Sequence, residues 1–312
     1  MAETIETALT AACLAAARQL REAGIETPEL DARLLVCHAA GLTHEGLIAR
    51  DRETPTPEVA ARLEAYVARR LQGEPVSRIR GAREFYGRDF LIDRHTLDPR
   101  PDTETLIEAA LEVVARRGWR TRRIKLLDLG TGTGCILLTL LAELPQANGV
   151  GTDMSDGALA VAADNARRLG LEGRARFIAA DWLDGVAGSF DLILSNPPYI
   201  PSGEIAGLAP EVSAFDPRGA LDGGPDGLAA YRRIATRAQE LLSPDGVLIV
   251  EIGANQAEAV TQLLHAAGLQ TSDGAAHDLA GRPRCVLAGL PPGRRRTSQG
   301  PKNALGKARC SG

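Results

Sequence analysis

From Thr103 onward the chain alternates helical patterns with short apolar runs: IKLLDLG, NGVGTD, ARFIAAD, FDLILSN and GVLIVEIG. Such an alternation is the signature of an α/β fold, a mostly parallel sheet wrapped by helices. The runs are too short to cross a membrane, and no internal repeat at a fixed period accompanies them.

The earlier part reads differently. From Ile5 to about Leu71, residues Leu9, Cys13, Ala16 and Leu20 recur at three- and four-residue steps, and Thr27-Pro28-Glu29 reads as a helix start. Pro55 and Pro57 precede another amphipathic run, Val59, Leu63, Tyr66, Val67 and Leu71, which ends at Gly73. Residues 1–75 are therefore expected to form a small all-α domain. Residues 76–101 turn to glycine, aromatic and alternating residues, GAREFYGRDFLID, which suits a linking β-hairpin. The main domain is expected over 102–290.

Residues 291–312 carry Arg294, Arg295, Arg296, Lys302, Lys307 and Arg309 with no acid, and read as a basic, disordered tail. Without those cations the body holds 30 basic against 40 acidic residues. An acidic body is poorly matched to nonspecific binding of a phosphate backbone, so no stable nucleic-acid binding is expected. Five cysteines, Cys13, Cys37, Cys135, Cys285 and Cys310, lack CxxC spacing or histidine clusters, so neither a metal nor a disulfide framework is indicated. The first residues carry acids where a secretory signal has a basic region, and a cytoplasmic protein is expected.

The run IKLLDL leads into Gly130-Thr131-Gly132-Thr133-Gly134 and then into an apolar helix near Cys135. Glycines there permit a sharp turn and let a ligand approach the main chain at a helix N-terminus. Asp153 ends the next run, where an acid of a doubly wound fold accepts hydrogen bonds from ribose hydroxyls; capping of the helix that begins near Ser155 is the competing role. Asp181 and Trp182 end the third run, where a carboxylate and an indole suit an adenine edge and face, with a capping Asp and a core Trp as the alternatives. No GKS or GKT follows the glycines, which excludes a P-loop, and GTGTG is not the GxGxxG of dinucleotide enzymes. The pattern D-x-G-x-G-x-G resembles the first motif of S-adenosylmethionine-dependent methyltransferases.

The run FDLIL is followed directly by Asn196-Pro197-Pro198-Tyr199-Ile200. An amide carbonyl, a rigid Pro-Pro turn and an aromatic ring at a strand end form a trap for a planar NH2 group. The nitrogen of an amide is a poor nucleophile because its lone pair is delocalised. Accepting both of its N–H groups, from the Asn196 oxygen and a backbone carbonyl of the turn, orients that lone pair and stabilises the charge that develops. Tyr199 walls the pocket. A strand-ending turn is the bland alternative.

Taken together, LLDLGTGTG, Asp153, SNPPYI and RPDTE (Arg100 to Glu104) resemble the release factor glutamine N5-methyltransferase family over roughly Leu20 to Leu287. The resemblance implies a Rossmann-like class I methyltransferase domain with a mostly parallel seven-stranded sheet, and S-adenosyl-L-methionine as cofactor. It implies methyl transfer to the glutamine of the Gly-Gly-Gln motif in class 1 peptide chain release factors. By that resemblance Gly130 to Gly134, Asp153, Trp182 and Asn196 contact the cofactor, Asn196 to Tyr199 hold the glutamine, and Arg100 lies near the substrate. The chain departs from the family at Asp216, usually Glu, and at Asp98, usually aliphatic; neither departure is expected to touch the motifs that carry the chemistry. NPPY alone leaves open a ribosomal-protein glutamine methyltransferase, an adenine N6-methyltransferase, and a noncatalytic module of the same fold. RPDTE favours the release factor branch, although helix capping and a domain-linking ion pair also account for Arg100, Asp102 and Glu104. Residues 1–80, with 10 Arg and 12 acids, suit a protein partner better than a phosphate backbone.

Overall fold

The computed structural model describes residues 8–271 and 274–292; of the basic tail expected over 291–312, all but the first two residues lie outside them. Five helices come first: α1 Leu9–Glu22, α2 Pro28–Ala40, α3 His44–Ala49, α4 Pro57–Leu71 and α5 Val76–Arg80. Their starts follow local chemistry. Pro28 and Pro57 occupy the first turn of α2 and α4, where no N–H is needed, and the Thr56 hydroxyl accepts the Val59 N–H at 3.4 Å. Leu20, Leu35, Val67 and Ile79 pack into a shared core. The last of these explains a departure from expectation: residues from Val76 make one more helical turn, because Ile79 reaches that core, and the hairpin starts only after Gly81.

The hairpin pairs β1 Ala82–Phe85 with β2 Arg88–Leu91 around a two-residue loop, Tyr86 and Gly87, at φ 50° and 72°. Two positive φ values are what a loop of this length requires. Phe85 and Phe90 cross edge to face at 6.2 Å between ring centroids and join the main core. The hairpin is thereby packed into the larger domain, beyond linking the two.

The larger domain runs α6 Glu104–Arg116, β3 Lys125–Leu129, α7 Cys135–Glu143, β4 Asn148–Asp153, α8 Asp156–Arg168, β5 Ala175–Ala179, β6 Phe190–Ser195, α9 Pro210–Ser213, α10 Ala229–Leu241, β7 Leu242–Glu251, α11 Ala257–Ala266, β8 Gln270–Thr271, β9 Ala276–His277 and β10 Pro283–Gly289. Seven strands lie in the order β5-β4-β3-β6-β7-β10-β8, and the short β9 adds an eighth by pairing with β10. Strands β3 to β7 are parallel, and β10 is antiparallel to β7. Along β6, Leu192 and Leu194 enter the core under α6 and α7, while Ile193 enters the core under α10 and α11. Burial on both faces is why these strands are apolar at consecutive positions. The chain leaves β3 toward β4 on one side and has β6 on the other, so a crevice opens at the carboxyl ends of β3, β4 and β6.

Candidate active site

At the end of β3 the glycine turn holds Gly130, Gly132 and Gly134 at φ 66°, 54° and 78°. A side chain at Gly134 would also meet Leu138 Cδ1 at 3.1 Å and Ala162 Cβ at 3.3 Å, so conformation and space both demand glycine there. Asp153, ending β4, accepts the Gly132 N–H through Oδ2 and the Ser155 N–H through Oδ1, each at 2.9 Å. Ser155 caps α8, its hydroxyl accepting the Ala158 N–H at 3.2 Å, and Asp153 lines the cavity. Asn165 of α8, fully buried, donates to the carbonyls of Thr133 and Leu91, each at 3.0 Å, and fastens the glycine turn to the hairpin. Beneath the turn, burial pushes the Asp128 carboxyl up to about 7, against the opposing hydrogen bond from the Thr131 hydroxyl at 2.6 Å.

Above these groups lies a cavity of about 340 Å³, lined by Gly130, Thr131, Gly132, Thr133, Asp153, Trp182, Asn196 and Pro198, with Arg94, His95 and Met154 at its margin. Trp182 sits at φ 57°, an uncommon conformation for a bulky residue, and its ring covers Gly130. Gly134 caps α7 and does not line the cavity. Asp181 departs from the expectation of an adenine contact. Its carboxylate accepts from Arg233 of α10 at 2.6 Å, while its neighbours Ala180 and Trp182 line the cavity, because the chain turns directly after β5 with Trp182 at positive φ.

A second cavity, of about 360 Å³, is lined by Asn196, Pro197, Tyr199, Asp102 and Glu251 and shares Leu97, Arg100, Asn196 and Ala220 with the first. Asn196 therefore stands at the junction. Its Nδ2 donates to the Thr103 hydroxyl at 3.0 Å, and no described residue donates to its Oδ1. The rest of the turn is braced from three sides. The Ser195 hydroxyl reaches the Leu129 carbonyl at 2.8 Å, Gln256 Nε2 holds the Tyr199 carbonyl at 2.9 Å, and Ile200 exchanges hydrogen bonds with Leu221 and Gly223. Burial raises the Tyr199 phenol to about 12, so its hydroxyl stays protonated and serves as wall, not base.

Arg100 lines both cavities and pairs with Asp216, which also accepts Arg78 Nη2 of α5 and the Asp98 N–H at 3.3 Å. The two positions that depart from the family pattern touch each other. Asp216 also binds the arginine of RPDTE, which corrects the expectation that neither departure reaches those motifs. A second bridge runs from Arg70 of α4 to Asp31 at 2.7 Å and to Glu211 of α9 at 2.6 Å. The helical domain is thus clamped to the segment that follows NPPYI. Within RPDTE, Asp102 pairs with Arg284 at 2.5 Å and Glu104 accepts the Tyr86 N–H at 3.0 Å, so both have structural partners.

Thr103 and Glu251 are the site residues that sequence reasoning passed over. A signal existed for each: Thr103 lies inside the RPDTE segment, and Glu251 is an acid that directly follows the apolar run Val247 to Val250. Glu251 is 1% exposed, its Oε2 has no partner among the described residues, and burial pushes its carboxyl up to about 7, opposed by Thr103 and Arg284. The described residues hold no cluster of three or more His, Cys, Asp or Glu that could bind a metal ion.

Residues 11–81 match the PrmC N-terminal domain and residues 120–277 match a methyltransferase domain. The release factor glutamine methyltransferase of Rhodospirillum rubrum is 52% identical over 91% of this chain and 83% of its own length, and that of Bradyrhizobium diazoefficiens is 50% identical over 87% and 91%. The chain belongs to the release factor glutamine methyltransferase family. It is similar in fold to the catalytic domain of hMettl16 solved with a MAT2A 3′UTR hairpin, with a TM-score of 0.52 at 17% identity over 75% of this chain and 82% of that one. It is an S-adenosylmethionine-dependent methyltransferase, and the first cavity suits that cofactor. A glycine turn allows close approach to the backbone, a carboxylate is placed for hydroxyls, and an indole and a thioether offer apolar surface to a base.

Proposed function

We propose that this enzyme methylates the side-chain nitrogen of the glutamine in the Gly-Gly-Gln motif of class 1 peptide chain release factors, in the cytoplasm. The observation that carries this reading is Asn196 at the junction of two cavities, its nitrogen engaged and its oxygen without a donor among the described residues. In the first cavity Gly130 to Thr133, Asp153 and Trp182 hold the cofactor, which supplies a methyl group on a sulfonium. In the second, Pro197, Tyr199 and Glu251 surround a glutamine side chain whose nitrogen meets Asn196. The amide oxygen of Asn196 and the Pro197 carbonyl accept the two N–H groups and aim the lone pair at the methyl. When bound, the cofactor would supply the methyl group and keep the S–C electron pair as a thioether. The glutamine nitrogen held by Asn196 and the Pro197 carbonyl would form the new N–C bond and lose one proton to solvent. The acceptors stabilise the positive charge that grows on nitrogen and need no reorganisation.

The helical domain is the surface offered to the release factor away from the glutamine, and its clamp to the segment after NPPYI through Asp216 and Glu211 supports that placement. No helix among the described residues is long and apolar enough to cross a membrane. The test is incubation with methyl-labelled cofactor and, separately, a class 1 release factor, the same factor with its Gly-Gly-Gln glutamine replaced, a ribosomal protein and adenine-containing DNA. Label is expected on the intact release factor alone; label on DNA or on the ribosomal protein in its place overturns the proposal.

A further inference from the structure

A carboxamide has two ends of nearly equal shape and opposite hydrogen-bonding sense. Asn196 accepts a substrate N–H only when Oδ1 points to the second cavity; rotated by half a turn, it presents a donor to a donor. What holds the productive orientation is therefore a functional question, and it rests on the glutamine methylation proposed for this site. Asn196 Nδ2 donates to the Thr103 hydroxyl at 3.0 Å. A hydroxyl has a single hydrogen, so Thr103 accepts with a lone pair and keeps that hydrogen for another acceptor. The acceptor facing it is the Glu251 carboxyl, buried at the end of β7 and lining the same cavity as Asn196.

We propose that Thr103 and Glu251 are positioning residues for methyl transfer, forming a one-way relay that holds the Asn196 oxygen toward the glutamine nitrogen. The direction comes from charge. An ionised carboxylate only accepts, so Thr103 must donate to it and can only accept from Asn196. A protonated Glu251 can donate to Thr103, whose hydroxyl then turns to Asn196 and favours the amide rotated with its oxygen away from the substrate.

The groups facing Glu251 come from each element around it. They are Arg284 and Cys285 of β10, Asp102 ahead of α6, Tyr199 after β6, Tyr231 of α10 and Cys135 of α7. Arg284 is the cation, and Asp102 and Asp278 already engage it at 2.5 and 2.9 Å. Burial raises both phenols and both thiols. Glu251, raised to about 7 by burial, is the relay member that changes charge near neutrality.

The test uses full-length enzyme with release factor at saturating cofactor. Thr103→Val is expected to lower kcat by about tenfold to a hundredfold with KM for the release factor changed less than about threefold, since misorientation of one recognition group costs that order. Thr103→Ser, which keeps the hydroxyl, restores most of the loss. In the wild type, kcat falls as pH drops through about 7; Glu251→Gln lowers kcat and removes that acidic limb. Infrared difference spectra of wild type against Glu251→Gln, recorded without substrate, are expected to show a protonated carboxyl band that grows as pH falls through the same range. Cofactor affinity, measured by calorimetry, reports that each variant is folded, and if Thr103→Val does not fold, the pH profile and spectra of Glu251→Gln decide. A wild-type acidic limb retained in Glu251→Gln, a Thr103→Val enzyme with unchanged kcat, or a Thr103→Ser enzyme no better than Thr103→Val each overturns the relay. If the wild type leaves the release factor unlabelled, the proposed function fails instead, while the infrared result still reports on Glu251.

Discussion

Two buried acids flank the double cavity, Asp216 in the segment between β6 and α10 and Glu251 at the end of β7, and their surroundings differ. Asp216 is saturated. Two guanidinium groups and a backbone N–H surround it, and through them it joins α5, the approach to α6 and the segment after NPPYI. Glu251 has the Thr103 hydroxyl as its side-chain hydrogen-bond partner and an oxygen without a partner among the described residues; its nearby cation, Arg284, is engaged by Asp102 and Asp278, and burial raises its carboxyl to about 7. Burying a carboxylate with its cations builds structure, whereas burying one without them costs stability and leaves a group free to act. The contrast marks where architecture ends and chemistry begins in this site.

The largest effect should come from the saturated acid. Asp216→Ala strands Arg78 and is expected to destabilise the fold by about 3–5 kcal/mol, as loss of one member of a buried pair does. Urea denaturation measures it, and a loss below about 1 kcal/mol would erase the contrast. Next comes Asn196→Ala, with kcat expected to fall by about 10²–10³ and cofactor affinity nearly kept, because a preorganised transition-state group is removed while the cofactor cavity survives. A matching loss of cofactor affinity reassigns Asn196 to cofactor binding.

The unsaturated acids also predict how stability depends on pH. Glu251 and Asp128 have folded-state values near 7, raised from the ordinary carboxylate range chiefly by burial, so the folded state binds more protons than the unfolded one between roughly pH 4.5 and 7. Their contribution is full below the ordinary range and is lost as pH rises through about 7. Stability should therefore increase as pH falls over the interval in which kcat declines, and Glu251→Gln should remove part of that slope, leaving the share of Asp128. A stability that rises with pH across the same window breaks the assignment.

A smaller effect is expected at the glycine turn. Gly134→Ala forces a left-handed residue, worth about 1–2 kcal/mol, and sets a methyl against Leu138. Denaturation and cofactor titration should both register it. The smallest is Asp181→Asn, which removes an exposed pair with Arg233 worth at most about 1 kcal/mol and should leave cofactor affinity unchanged within about twofold. A larger loss of affinity returns Asp181 to the cofactor site.

The glycine turn, Asp153 and NPPY were legible because each is a local pattern: a strand, a residue type at its end, and the turn that follows. The helical reading of Ile5 to Leu71 rested on the same kind of periodicity. It lost the boundary at Val76 because Ile79 chooses its partners in three dimensions. Asp181 and Trp182 were equally good candidates by position, and only the fold turned one toward the cavity and the other toward Arg233.

Side-chain period and backbone freedom act over a few residues, so the amino-acid sequence alone set the order of strands and helices, the conformation of the glycine turn and the place of the NPPY turn directly after β6. Which polar atoms are satisfied was settled by the assembled fold. Thr103 and Asn196 lie 93 positions apart, Arg78 and Asp216 lie 138 apart, and nothing in either neighbourhood names its partner. Saturation of a buried acid depends on what the whole fold brings to it, and that separates Asp216, which holds the molecule together, from Glu251, which faces its chemistry.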